Sequence, residues 1–203
     1  MTFLLIEPTV GNFYTNVTIK AEFDSVVSVL RSRRRRAYAA SSHGMVVVVD
    51  READTQDVDV LASLALTLSA ALSAPALAVL NHDDDVLLFG LYDNGALVME
   101  YGWTKGRSNE VPPTQRSTFI TEVLRRFGTS PRTATPSPEI PGIGTAARIL
   151  LKALGVIGSR FMGIAVHQRF VEDTGLPDES IGAGFNYVDR GDFSGSAAVF
   201  LHV

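Results

Sequence analysis

The sequence predicts an α+β fold, a mixed and mostly antiparallel sheet with helices packed on it, and three observations carry that expectation. Three β-forming runs follow one another between residues 75 and 103, with a tight-turn signal between the last two, as in an antiparallel meander. Upstream of them, stretches of strand-like and helix-like periodicity alternate. The helical stretches repeat apolar residues at i, i+3, i+4 and i+7, so each has one face to bury against a sheet.

In chain order, Asn16 to Glu22 alternates Val17, Ile19 and Ala21 with polar residues, the pattern of a half-buried strand. The helix after it has Asp24 as its expected N-cap, a face of Phe23, Val26, Val27 and Leu30, and an arginine-rich end. Ala37 to Ala40 and Met45 to Val49, bracketing Ser42-His43-Gly44, predict a hairpin or two successive strands. Val58 to Ala74 reads as a buried amphipathic helix in which Asp59, Ser63 and Thr67 recur every four residues as one polar stripe. Asp54 or Thr55 is its expected cap and Pro75 its stop. Pro75 to Leu80, Val86 to Tyr92 and Ala96 to Trp103 then make the meander, and Asp93-Asn94-Gly95 supplies the positive φ angles of its second turn. Val86 to Tyr92 is apolar on both faces and belongs inside the sheet.

A further helix runs from about Gln115 to Phe127, with Ile120, Val123, Leu124 and Phe127 on one face. Pro131, Pro136, Pro138 and Pro141 then mark a linker or surface wrap. Helical patterns return at about Gly144 to Leu154 and Ser159 to Thr174. Alternation of Ile181, Ala183, Phe185 and Tyr187, with the run Gly195 to Val203, predicts a closing hairpin. The strand, helix, strand, helix, strand order is that of a ferredoxin-like βαβαβ element extended by hairpins. Residues 1–128 are thus expected as the main domain, 129–142 as a proline-rich linker, and 143–203 as a helical pair plus hairpin packed on the first part.

Composition narrows the function classes. Of 203 residues, 46% are hydrophobic and 20% charged, which is the balance of a folded globular chain. With no cysteine, thiolate catalysis and cysteine-ligated metals are excluded, and a cytoplasmic protein is expected. No signal peptide and no membrane-spanning run is read, so the expectation is of no membrane partner. A net charge of −4 argues against nucleic acid, which calls for a concentrated basic surface.

The candidate site is Asn81-His82-Asp83-Asp84-Asp85, an acidic cluster between two apolar runs. Three adjacent acids repel one another, so they cap a turn, bind a cation or face a basic partner. In an extended segment Asp83 and Asp85 point the same way and Asp84 the other, so Asp83 and Asp85 are candidate ligands of one Mg²⁺ or Mn²⁺, with His82 as acid or base beside them. The competing interpretation is a solvated acidic turn that starts a strand and needs no cofactor. Arg31, Arg33, Arg34, Arg35 and Arg36 form a basic patch that invites phosphate, but a solvated helix end at the negative pole of the dipole explains it better, with an acidic partner protein next. The acidic run from Asp50 to Asp57 fails as a calcium loop, because Thr55 stands where glycine is wanted and Leu61 where a glutamate is wanted. No nucleophile elbow, zinc-binding histidine pair or phosphate loop is present.

Leu80 to Gly95, and His167 to Gly191 with Gly175-Leu176-Pro177 and Gly184-Phe185-Asn186-Tyr187, resemble segments of uncharacterised bacterial proteins. That resemblance implies a bacterial origin and carries over no functional residue. The function expected from the sequence is a non-enzymatic binding or regulatory protein, immunity-like, presenting His82, Asp83, Asp84 and Asp85 to a basic protein partner. The alternative is a divalent-metal enzyme acting on a phosphorylated or nucleotide-linked substrate. The sequence leaves a homo-oligomer open.

Overall fold

A computed structural model describes residues 12–105, 113–132, 162–193 and 200–203. The architecture is α+β. Seven strands form one open sheet in the order β6-β5-β4-β1-β3-β2-β7, and all six pairings are antiparallel. The strands are β1 (Tyr14–Ile19), β2 (Ala37–Ser42), β3 (Met45–Asp50), β4 (Ala76–His82), β5 (Val86–Asp93), β6 (Ala96–Thr104) and β7 (Leu201–His202). The helices are α1 (Phe23–Ser32), α2 (Val58–Leu72), α3 (Pro113–Phe127), α4 (Met162–Thr174) and α5 (Phe185–Arg190).

β1 and β2 both run antiparallel to β3 and therefore parallel to each other, so the β1-α1-β2 crossover straddles β3. By the same logic β3-α2-β4 straddles β1. Both crossover helices pack on one face, where Val26, Leu30, Leu61, Leu64 and Leu68 meet Val17, Ile19, Val46, Val48 and Ala78. The other face holds Leu77, Val79, Leu87, Phe89, Tyr101 and Trp103 under Phe119 and Val123 of α3 and Phe170 of α4. Residues 176–193 cover the rest of that face, and Asn16 Nδ2 holds them by donating to the carbonyls of Ser180 and Ala183 at 2.8 and 2.9 Å. With helices on both sides, strands such as Met45–Asp50 bury every residue and lose the alternation of a one-sided sheet.

Several expectations are corrected. β1 starts at Tyr14 and stops at Ile19, two residues earlier than its alternation suggests at the start and three at the end. Glu22, not Asp24, is the N-cap of α1, and Asp24 sits in the first turn, where its charge complements the dipole. Helix α2 is capped by Asp57, whose carboxylate accepts from Asp59 N at 2.9 Å and Val60 N at 3.2 Å. Asp54 instead accepts from Phe185 N at 3.1 Å and Asn186 N at 3.0 Å, so it caps α5 from across the chain. The alternating stretch Ile181 to Tyr187 is not a strand: a 3-10 turn at Asp178–Ser180 leads into α5. Of the expected last strand, Leu201–His202 pairs with Ala39 and Tyr38 of β2. The helix expected at Gly144 to Leu154 and residues 133–142 of the proline-rich stretch lie outside the described residues. Among the described residues, no helix is long and apolar enough to cross a membrane.

Candidate functional site

The acidic cluster forms the turn between β4 and β5. Asp83 and Asp84 have φ of 54° and 55°, and Asp85 N donates to His82 O at 3.1 Å, the positive-φ geometry of a type I′ turn. Aspartate tolerates left-handed backbone because its short side chain bonds locally. A turn also removes the period-two logic on which a shared site for Asp83 and Asp85 was expected, since the segment is no longer extended.

The three carboxylates have three different fates. Asp84 is buried, and its Oδ2 accepts from Asn12 Nδ2 at 2.8 Å and Asn12 N at 3.4 Å. Its Oδ1 accepts from Asn81 Nδ2 at 2.9 Å and from Ile164 N at 3.2 Å, while its backbone carbonyl accepts from Gly163 N at 3.1 Å. The middle acid thus seats the first turn of α4, where free N–H groups and the helix dipole favour a negative charge. Gly163 is required at this contact, because a Cβ there would overlap Asn81 Oδ1 and come within 2.9 Å of Asp84 Cα. Asp85 pairs with Lys105 at 2.8 Å, and that hydrogen bond and charge raise the lysine pKa. Asp83 is exposed, as is His82, whose ring lies edge-on to Phe13 at 4.9 Å. Among the described residues, no group of three or more His, Asp or Glu side chains converges as a metal ion requires.

The arginine cluster also divides. Arg35 N donates to Leu30 O at 3.0 Å across Arg34, which has φ of 52°, so α1 closes in a Schellman arrangement with arginine in the usual glycine position. The Arg35 guanidinium grips the buried Asp50 through Nε and Nη2 and reaches Glu52 through Nη1. Asp50 in turn accepts from Glu52 N and Ala53 N, both at 3.0 Å. Arg36 lies 5.7 Å over the Phe185 ring, and Arg31, Arg33 and Arg34 are exposed.

Sequence reading missed a buried polar chain on the α4 side of the sheet. Tyr14 Oη and His167 Nδ1 are 2.8 Å apart, and His167 Nε2 is 3.5 Å from Ser180 Oγ, which donates to Pro177 O at 2.8 Å. Burial pushes the histidine down to about 3, and burial first, with the Asp84 charge second, pushes the tyrosine up. All three residues are almost fully buried, and the chain ties β1 to α4 and to the turn after it. A histidine in a helix 153 residues from its partner leaves no local signal.

Between α2 and the outer strands lies a hollow of about 280 Å³. Leu61 and Ala62 of α2 wall it, Leu80 and Leu88 floor it, and Gly90 and Gly102 keep it open. Gly90 is needed for a second reason, since the Tyr92 ring lies across it and a Cβ would sit 2.8 Å from Cε2. The lining residues with polar side chains are Tyr92, Glu100, Tyr101 and Gln115. Burial, and secondarily the Glu100 charge, raise the Tyr92 pKa, which keeps its hydroxyl protonated. Comparison with known proteins finds no family model, no curated protein and no solved structure that matches this chain.

Proposed function

We propose that this protein works by binding and not by catalysis, and that the hollow between α2 and β4–β6 takes a small apolar molecule with a cationic head. The observation that carries this reading is the contrast between two sets of polar groups. Tyr14, Asp50, Asp84 and His167 are buried and committed to seating helices, loops and strands. Glu100 is exposed at an apolar hollow and makes no ion pair among the described residues. An apolar concavity with a few convergent polar groups is the arrangement that small-molecule sites share. A carboxylate at the rim selects for positive charge, and the Tyr92 hydroxyl adds an oriented donor and acceptor. The acidic turn is a poorer seat for a basic partner, because Asp84 is buried, Asp85 pairs with Lys105, and the charge of the exposed Asp83 also acts on that lysine.

The test is calorimetric titration with phenethylamine and with 3-phenylpropionate, which share a ring and differ in the sign of the head. Saturable binding of the amine alone is expected, with discrimination lost in Glu100→Gln and amine binding lost in Ala62→Phe, which fills the hollow. Equal binding of both probes, or amine binding untouched by Ala62→Phe, overturns the reading.

A further inference from the structure

The polar stripe of α2 and the arginine-rich end of α1 are separate features of the sequence that the fold brings to one place. A cleft of about 210 Å³ runs between the two helices, floored by Leu30, Leu64 and Leu68 and edged by Arg33, Arg35, Ser63 and Thr67. Ser63 and Thr67 stand one turn apart on α2 and therefore share a side of the helix. Neither hydroxyl makes a hydrogen bond among the described residues, and Arg33 makes no ion pair among them. Arg35 is different, because its grip on Asp50 and Glu52 fixes the plane of the guanidinium while using three of its five N–H donors.

We propose that this cleft is an anion site for a phosphate monoester of a small apolar alcohol, with Arg33 and Arg35 on the phosphate, Ser63 and Thr67 completing its oxygens, and the leucines holding the organic group. The donor set decides between anions: two guanidinium groups and two hydroxyls exceed what the two oxygens of a carboxylate accept and suit the three terminal oxygens and near-dianionic charge of a phosphate monoester. Charge agrees with this assignment. Asp50 and Glu52 exceed Arg35 by one charge, but Arg33 is uncompensated and the exposed Arg31 and Arg34 add positive charge nearby. Arg35, already held by Asp50 and Glu52, supplies orientation and lowers the ordering cost of binding, and the exposed Arg33 supplies capture.

Phenyl phosphate, inorganic phosphate and phenol are the probes, titrated into the full chain at physiological ionic strength so that diffuse surface attraction is screened. Phenyl phosphate is expected to saturate and to bind more tightly than either of the other two. Arg33→Gln is expected to weaken it about tenfold or more, the loss of a charge-assisted contact. Thr67→Val should weaken it by a smaller factor, and Arg31→Gln, outside the cleft, should leave it within about twofold. Saturation by wild type with equal losses in Arg31→Gln and Arg33→Gln would reduce the cleft to a diffuse basic patch and sink the proposal, as would the absence of saturable phenyl phosphate binding.

Discussion

Replacing Asp84 by asparagine tests whether the middle acid of the turn holds α4 in place. The substitution keeps the shape and the left-handed backbone, which asparagine tolerates at least as well as aspartate. It cannot keep the hydrogen bonds. Oδ1 and Oδ2 each face two donors, so an amide nitrogen put in place of either oxygen meets donors and loses two bonds, one from Asn12 or Asn81 and one from a backbone N–H. At about 1.5–3 kcal/mol for a hydrogen bond to a charged group, and allowing for the longer bonds of 3.2 and 3.4 Å, the expected loss is about 3–4 kcal/mol. For a chain of this size that lowers Tm by about 6–15 °C. Asp83→Asn removes an exposed charge and should change stability by less than about 0.5 kcal/mol, and Asp85→Asn should cost less than about 1 kcal/mol for its surface pair with Lys105. The assay is urea unfolding followed by Trp103 fluorescence, with Gly163→Ala as a second route to the same contact. That variant keeps every charge but drives a methyl group into Asn81 and Asp84. If Asp84→Asn came within about 1 kcal/mol of wild type, or Asp83→Asn cost as much, the carboxylate would not be the clamp.

Two further outcomes follow from the same reasoning. His167 titrates near its ordinary value of 6.5 when unfolded and is pushed down to about 3 by burial in the fold, so between those values the unfolded chain binds more protons and stability falls as pH falls. Unfolding at pH 5 should therefore be easier than at pH 7.5 by about 2 kcal/mol, and a His167→Gln variant should lose that part of the slope; an unchanged slope refutes the assignment. Arg34→Gly, at the left-handed residue that closes α1, should raise stability by about 1 kcal/mol in the same urea assay, and a loss there would show that the arginine side chain contributes more than its backbone strain costs.

The types of the elements between Tyr14 and Phe127 were legible because each depends on neighbours a few residues away: the apolar spacing of α1, α2 and α3, the β-branched run of β3, and the turn chemistry of Asp93-Asn94-Gly95. The α+β architecture follows from their order. The roles of the polar residues did not follow, because a carboxylate or an imidazole takes its role from whatever the sheet brings to it. Asp54 and Asp57 look equivalent in sequence, yet one caps the adjoining α2 and the other caps α5, about 130 residues away. The alternation from Ile181 to Tyr187 satisfies a strand pattern, but β1 and Asp54 hold the carbonyls of Ser180 and Ala183 and the amides of Phe185 and Asn186, and those bonds select a turn and a short helix. Within the acidic turn, the sequence alone determined that three acids lie between two strands. Only the tertiary structure decided that Asp84 is the one buried, because burying a charge requires donors, and Asn12 and the first turn of α4 reach that position through the fold.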